Sequence, residues 1–233
     1  MTGSPPEPYS PAAPYSAAVP YVVPFAVFMA LIGLSLLWPM PALADQTLRL
    51  VVMAAVLYFV ARPVLDFHVK QWAGSLLIGV VIFVLWIAPD LLFPSYRHSF
   101  LFNNAMLGSA RSSIPEAARH DIPVLWLRSL RAVLVVPIVE ELFWRGWLMR
   151  WTIAPDFQRV PLGAYSAVSF WTVALLFASE HGPYWDVGLV AGIIFNWWMI
   201  RTKSLGDLIL AHAAANACLS AYVVAAGKWE YWL

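Results

Sequence analysis

Long runs of apolar residues, separated by short polar stretches, dominate the chain. The runs are continuously apolar, and several approach about 20 residues, the length that crosses a bilayer as an α-helix. A transmembrane barrel would instead show alternating segments of about ten residues. The pattern therefore predicts an all-α, polytopic transmembrane helix bundle. The predicted spans, about seven in number, are 22–43, 49–66, 71–93, one within 123–151, 161–181, 185–200 and 205–227.

The connection 94–122 is more polar than the others, and we expect a loop with an interfacial helix there. A short extra span in this stretch is the alternative, which would make eight. No repeat and no Gly/Ser linker divides the spans, so residues 21–233 are predicted to form a single membrane-embedded domain. Residues 1–20 contain six prolines and are predicted to be a disordered tail.

The composition also indicates that most of the protein's surface faces lipid rather than water. Hydrophobic residues make up 61% and charged residues 12% of the chain, against about 25% charged in soluble domains. The formal net charge is +1 and there is no basic run, so a nucleic-acid partner is not expected. Cys218 is the only cysteine, which excludes an internal disulfide and a multi-cysteine zinc site. Arginine and lysine concentrate in alternate connections, which places the N-terminus in the cytoplasm.

Ionisable side chains inside apolar spans are costly and indicate a functional site. Those in the predicted spans cluster in the second half of the chain, together with two amides. They are Glu140, Glu141, Arg145, His181, His212, Asn196 and Asn216.

Helix geometry assigns these residues to faces. Glu141 and Arg145 are four residues apart and can form an ion pair, whereas Glu140 points about 100° away from Glu141. Pro137 removes a backbone donor just before them and can kink the helix. Glu180 is expected to face away from the site.

A second polar face lies in the last span. His212 and Asn216 share it, and both can donate hydrogen bonds to an oxyanion. A carboxylate, two histidines and an amide converging in lipid indicate acid–base chemistry on water. Asn196 is interpreted as a structural contact between helices.

Three blocks carry a resemblance to a known family. "EELFWRG" (140–146), "FASEH" (177–181) and "HAAAN" (212–216) are similar to the E-E-x-x-x-R, F-x-x-x-H and H-x-x-x-N/D signatures of the CAAX-prenyl-protease and bacteriocin-processing intramembrane proteases. The resemblance covers about residues 123–220. The Trp-rich sequence and "SEHG" also resemble the branch found with bacterial exosortase sorting systems.

This resemblance implies an intramembrane endopeptidase of a bacterial inner membrane that acts on a membrane-associated protein or peptide. It implies that Glu140 and His181 activate water, that His212 and Asn216 stabilise the oxyanion, and that Glu141 and Arg145 support the site. No cofactor is required by this mechanism. A divalent metal such as zinc remains open by ligand type, and would take Glu140, His181 and His212.

Two non-enzymatic functions also fit a buried polar cluster. One is a proton- or ion-coupled transporter, against which the absence of a repeat counts. The other is an immunity or binding factor on a protease-like fold. The predicted bounds also leave a geometric conflict. A helix starting near 161 would place His181 about 30 Å along its axis, too far from a mid-span Glu140.

Overall fold

The computed structural model of the protein describes residues 14–232. Within that range the chain forms seven helices and no strand, so the predicted all-α fold class is confirmed. They are α1 (Pro14–Leu37), α2 (Ala42–Val64), α3 (Trp72–Leu92), α4 (Ile122–Trp151), α5 (Ala167–Ser179), α6 (Trp185–Thr202) and α7 (Leu205–Ala226).

Five of these helices, α1 to α4 and α7, are long and apolar enough to cross a membrane. Helix α5 is apolar but has only 13 residues, and α6 has 18. Every predicted segment therefore corresponds to a helix, while the count of about seven spans stays a prediction. The connection 94–122 contains only the short turns Tyr96–His98 and Glu116–Ala118, so it holds neither an extra span nor a longer interfacial helix.

Helix α1 begins earlier than predicted. It starts at Pro14, so residues 14–20 are helical although they were assigned to the disordered tail; residues 1–13 lie outside the described range. Proline is tolerated in the first turn, where backbone N–H groups lack helical partners. Pro20 and Pro24 lie further inside the helix, a placement that membrane helices tolerate where neighbouring groups or local changes of winding satisfy the freed backbone carbonyls.

Helix α4 is continuous over 30 residues but changes its winding twice. Wider π-type turns cover Arg131–Val135 and Leu142–Leu148, and a six-residue α-helical piece with both glutamates lies between them. Pro137 does not break the helix, because it sits at the start of that piece, immediately after a π-type turn. Such turns are common at functional sites.

The helices that carry the polar motifs are fixed by two close packings. Helix α5 packs along α6, and α3 packs along α7. At the N-terminal ends of α3 and α7, Asp207 accepts hydrogen bonds from the Gln71 backbone N–H (2.7 Å) and the Ser75 hydroxyl (3.0 Å). Further along, Gly79 of α3 faces the backbone of α7 beside His212.

Gly79 sets how closely α3 approaches α7. A Cβ at this position would overlap the Ala211 carbonyl oxygen and lie 2.6 Å from Ala214 Cβ. We expect Gly79→Ala to lower the free energy of unfolding by about 1–3 kcal/mol, because the two backbones must move apart. Thermal unfolding of the purified protein in detergent measures the change.

The matched control is Gly33→Ala, since Gly33 of α1 has no atom within 4 Å of an added Cβ. Equal unfolding temperatures for the two variants would contradict a tight α3–α7 contact.

Candidate active site

The predicted ion pair between Glu141 and Arg145 is present and fully buried. Arg145 Nη1 donates to both carboxylate oxygens of Glu141 at 3.2 Å. Its Nε donates to Asn196 Oδ1 of α6 at 2.9 Å. Asn196 in turn donates to the Phe170 carbonyl of α5 at 2.8 Å, which agrees with its interpretation as a structural contact. Arg145 Nη2 also donates to the Gly192 carbonyl at 3.4 Å, so a carboxylate, an amide and a backbone carbonyl compensate a charge that no solvent reaches.

Glu141 also holds His212, which the sequence did not predict. His212 Nδ1 lies 2.8 Å from Glu141 Oε1. An ionised carboxylate only accepts hydrogen bonds, so Nδ1 carries the proton of this contact. The other ring nitrogen, Nε2, then faces Glu140, at 3.9 Å from Oε2. Glu141 therefore contacts two of the motif residues and fixes the orientation of the imidazole.

Glu140 lies in a second cluster, with His181 and Glu180. One ligand atom from each of the three residues lies within 4.8 Å of the others. Glu140 Oε2 is buried without a hydrogen-bond partner among the described residues. The expectation that Glu180 faces away is therefore wrong. Its Oε1 accepts a hydrogen bond from Trp144 Nε1 at 3.0 Å.

Glu180 was missed because helix geometry was extended past the end of the helix. Helix α5 ends at Ser179, so residues 180 and 181 lie in the following turn, where the angle of 100° per residue does not apply. The adjacency of two ligand-type residues just before Gly182-Pro183 is the sequence signal that pointed to them.

The tautomer of His181 follows from its backbone contact. Its Nδ1 lies 2.7 Å from the Phe177 carbonyl oxygen, which can only accept. Nδ1 is therefore the donor, and in the neutral ring Nε2 carries a lone pair. That lone pair can accept a hydrogen bond from water or bind a metal, and a histidine that ligates a metal usually donates its other N–H in this way.

Asn216 is oriented by the irregular winding of α4. The Val136 backbone N–H donates to the Arg131 carbonyl, five residues back. The next donor in that register would be residue 137, but proline has no N–H. The Ala132 carbonyl therefore accepts instead from Asn216 Nδ2, at 2.8 Å.

These groups meet at one cavity of about 560 Å³. Its wall is mostly apolar, as is typical of ligand sites, with a few convergent polar groups. The site residues that line it are Glu140, Glu180, His181, His212 and Asn216. Glu141 and Arg145 lie behind this wall. All four residues predicted to be catalytic thus face a common space.

The observed bounds remove the conflict over depth. Helix α5 begins at Ala167 rather than near 161, so its 13 residues extend only about 20 Å. His181 follows after one further turn and reaches Glu140, which lies near the middle of the longer α4. The error lay in counting the connection before Ala167 as part of the span.

Comparison with known families agrees with this arrangement. Residues 122–218 match the model of the type II CAAX prenyl endopeptidase Rce1-like family. This segment is Rce1-like. The match confirms the family predicted from the three motifs, whereas the exosortase-associated branch stays a prediction. No curated protein and no solved structure shows significant similarity to the chain.

The Rce1-like segment begins at the first residue of α4 and ends within α7, so it contains every motif residue. Together with the apolar helices, it indicates an integral membrane protein with a segment that resembles a protease family. The three helices before it supply part of the cavity wall, including Ile82 and Trp86 of α3.

We expect Arg145→Met to be strongly destabilising, by about 3–5 kcal/mol, because the buried Glu141 carboxylate would lose its guanidinium counter-ion. Thermal or denaturant unfolding of the purified protein measures the loss. Arg150→Met is the control, since Arg150 is a buried arginine of the same helix whose Nε contacts the Gly146 carbonyl. A similar loss in the free energy of unfolding for both variants would show that the Glu141–Arg145 pair stabilises the fold no more than another buried arginine does.

Proposed function

We propose that the chain is an intramembrane endopeptidase that hydrolyses a peptide bond with a water molecule activated by Glu140. The observation that carries the proposal is the convergence of Glu140, Glu180 and His181 within 4.8 Å, with His212 Nε2 at 3.9 Å from Glu140, on one cavity. The match to an endopeptidase family supports the reaction class.

In this mechanism Glu140 is the general base. Its unpartnered oxygen accepts a proton from water, while His181 Nε2 accepts a hydrogen bond that holds the water in place. The oxygen attacks the carbonyl carbon of the peptide bond and gives a tetrahedral oxyanion. The proton on Glu140 then passes to the leaving nitrogen, and the C–N bond breaks to give an amine and a carboxylic acid. The acid's remaining proton passes to the released amine or to water, and Glu140 is again a carboxylate.

The oxyanion is stabilised by His212 and Asn216 in the same proposal. Asn216 uses one amide hydrogen for the Ala132 carbonyl and has a second to donate. His212 donates from Nε2 when its ring is protonated, while its Nδ1 stays bound to Glu141. Arg145 keeps Glu141 in position. The support is thus preorganised before substrate binds.

The geometry adds a second candidate set of metal ligands to the expected Glu140, His181 and His212. Glu140, Glu180 and His181 have suitable ligand types and close spacing, and the His181 Nδ1 contact fits a metal-binding histidine. His212 lies outside this group of close ligand atoms, although its Nε2 is 3.9 Å from Glu140 Oε2. A bound zinc would polarise the peptide carbonyl or acidify a water. We propose that the reaction needs no metal, because the carboxylate and imidazole already supply the base.

The substrate is proposed to be a membrane-associated protein or peptide that enters the cavity from a lipid bilayer. Apolar side chains dominate the cavity wall, so the segment next to the cleaved bond is expected to be apolar. We further propose a bacterial inner membrane as the location, from the resemblance to proteins of bacterial sorting systems, and a cytoplasmic N-terminus, from the arginine and lysine distribution.

Glu140→Gln tests the base directly. It preserves volume but removes the proton acceptor, so we expect the rate of peptide-bond cleavage to fall by about 10²- to 10⁴-fold. The measurement is cleavage of a membrane-peptide mixture by the purified protein in liposomes, followed by mass spectrometry.

Glu116→Gln, which changes an exposed carboxylate in the 94–122 connection, should cleave like the parent. Equal cleavage by the Glu140 variant and the parent would overturn the assignment. Proton flux through the liposomes that is lost in His212→Ala would instead support a transporter.

Chelation separates the metal-free reaction from a metal-dependent one. We expect treatment with EDTA and then dialysis to leave the cleavage rate unchanged, with no stoichiometric metal found by mass spectrometry of the parent. Glu180→Gln should behave like the parent under this treatment. A loss of activity that zinc restores in the parent, but not in the Glu180 variant, would show that the metal-free proposal is wrong.

A further inference from the structure

Arg97 is a buried arginine in the connection between α3 and α4, and it does not line the cavity. Its Nε donates to both carboxylate oxygens of Asp90, near the end of α3, at 2.9 and 3.3 Å. Its Nη1 donates to the carboxylate of Asp186, in the first turn of α6. One guanidinium therefore joins two carboxylates from different helices. The mechanism proposed above does not use it.

Two further contacts of Arg97 fall on residues 180–184, which we call the His181 turn. Arg97 Nη1 also donates to the Pro183 carbonyl at 2.8 Å. The guanidinium carbon lies 4.5 Å from the centre of the Tyr184 ring. The Tyr184 backbone N–H donates in turn to the His181 carbonyl at 3.0 Å. Arg97 thus contacts the residues that directly follow His181.

The connection that carries Arg97 also packs along the His181 turn at other points. Trp185, the residue after the turn, donates from Nε1 to the Leu101 carbonyl at 3.0 Å. Gly182 has a φ of 51°, and a Cβ there would lie 3.3 Å from the Leu107 carbonyl oxygen. The 94–122 connection therefore covers the turn closely, and Arg97 supplies its charged contact.

The His181 turn depends on such contacts because α5 ends before it, at Ser179. On α3, Trp86 and Asp90 are four residues apart and share a face. The Trp86 ring lies 5.2 Å from the His181 ring, centre to centre, and Asp90 reaches the turn through Arg97. One face of α3 therefore holds both the imidazole and the backbone that follows it.

Charge explains why the guanidinium is needed there. The side chains of Asp90 and Asp186 are only 19% and 15% exposed, so water screens their charges poorly. Without Arg97 the two carboxylates would repel each other. That repulsion would move the start of α6, and with it the His181 turn, away from α3.

We propose that Arg97 is a positioning residue that sets the distance between His181 and Glu140 by holding the His181 turn against the end of α3. The inference rests on the proposed function, because it concerns the water that these two residues are proposed to hold. A misplacement of about 1 Å in such a site can lower a rate by about 100-fold.

The first test is spectroscopic and does not depend on catalysis. The full chain is labelled with nitrogen-15 histidine and purified in detergent, and the His181 Nδ1 proton is assigned by its absence from His181→Ala. In the parent this proton lies in the 2.7 Å contact with the Phe177 carbonyl. We expect Arg97→Gln to shift its NMR signal toward that of an exposed histidine, because the turn is displaced.

Arg150→Gln is the matched control for this signal. Arg150 and Arg97 are both 8% exposed and both lie over aromatic rings, but Arg150 contacts Tyr21 and Phe157 rather than the turn. The control should leave the His181 signal in place. Arg97→Lys keeps a cation between the carboxylates and should restore part of the parent signal.

A second variant decides the matter if Arg97→Gln does not fold. Asp186→Asn preserves volume but weakens the contact between α6 and Arg97, so it should also shift the His181 signal. An unchanged signal in Arg97→Gln, or in Asp186→Asn where the first variant does not fold, would overturn the inference. An equal shift in Arg150→Gln would overturn it as well, because the change would then reflect a general loss of packing.

The second test is kinetic and uses one peptide that the parent cleaves in the membrane-peptide mixture. We expect Arg97→Gln to lower kcat by about 10- to 100-fold with little change in KM, because Arg97 does not line the cavity. An unchanged kcat, or a loss confined to KM, would contradict a positioning role.

Failure of the proposed function would look different. If the parent cleaves no peptide, or Glu140→Gln cleaves like the parent, the proposed function is wrong, and the His181 signal still decides whether Arg97 holds the turn. If Glu140→Gln is inactive but Arg97→Gln keeps the parent's kcat, the proposed function stands and the positioning role is wrong.

Discussion

The structure depends on one buried cation, Arg145, and on the groups that compensate it. Its guanidinium contacts Glu141 of its own helix and Asn196 of α6, and Asn196 extends the contact to the α5 backbone. Glu141 adds His212 of α7. The rings of Phe177 and Phe195 cover the guanidinium, at 4.5 and 5.3 Å from its carbon. Because an unpaired charge there would be costly, the four helices are held in the register that satisfies it.

That register places the reactive groups on one cavity. With α5 tied to α6 through Asn196, the turn after Ser179 reaches α4, where Trp144 binds Glu180. With α7 tied to Glu141, His212 presents its second nitrogen to Glu140. The two adjacent glutamates thus have different tasks. Glu141 is saturated by partners, whereas Glu140 keeps a buried oxygen for chemistry.

The sequence predicted the helices and most of the site, since both depend on local patterns. Apolar runs located all seven helices, and the four-residue spacing predicted the Glu141–Arg145 pair. Spacing along one helix does not predict contacts between different helices, which is why the Glu141–His212 hydrogen bond was not predicted. Glu180 was misplaced because periodicity ends where a helix ends, and the bounds of α5 depend on packing rather than hydropathy.

The winding of α4 explains how one helix can serve both ends of the cavity. In a regular α-helix the Ala132 carbonyl would be satisfied internally, and Asn216 would have no fixed acceptor on α4. The π-type turn at Arg131–Val135, followed by Pro137, leaves that carbonyl to Asn216. Arg131 begins the same turn and points into the cavity where Glu140 also lies. A single local irregularity therefore orients the Asn216 amide near the reaction centre and also begins at Arg131, a buried arginine of the cavity wall. The main effect of Pro137 is therefore not a kink. Because proline has no backbone N–H, it cannot donate to the Ala132 carbonyl, and that carbonyl stays available to Asn216.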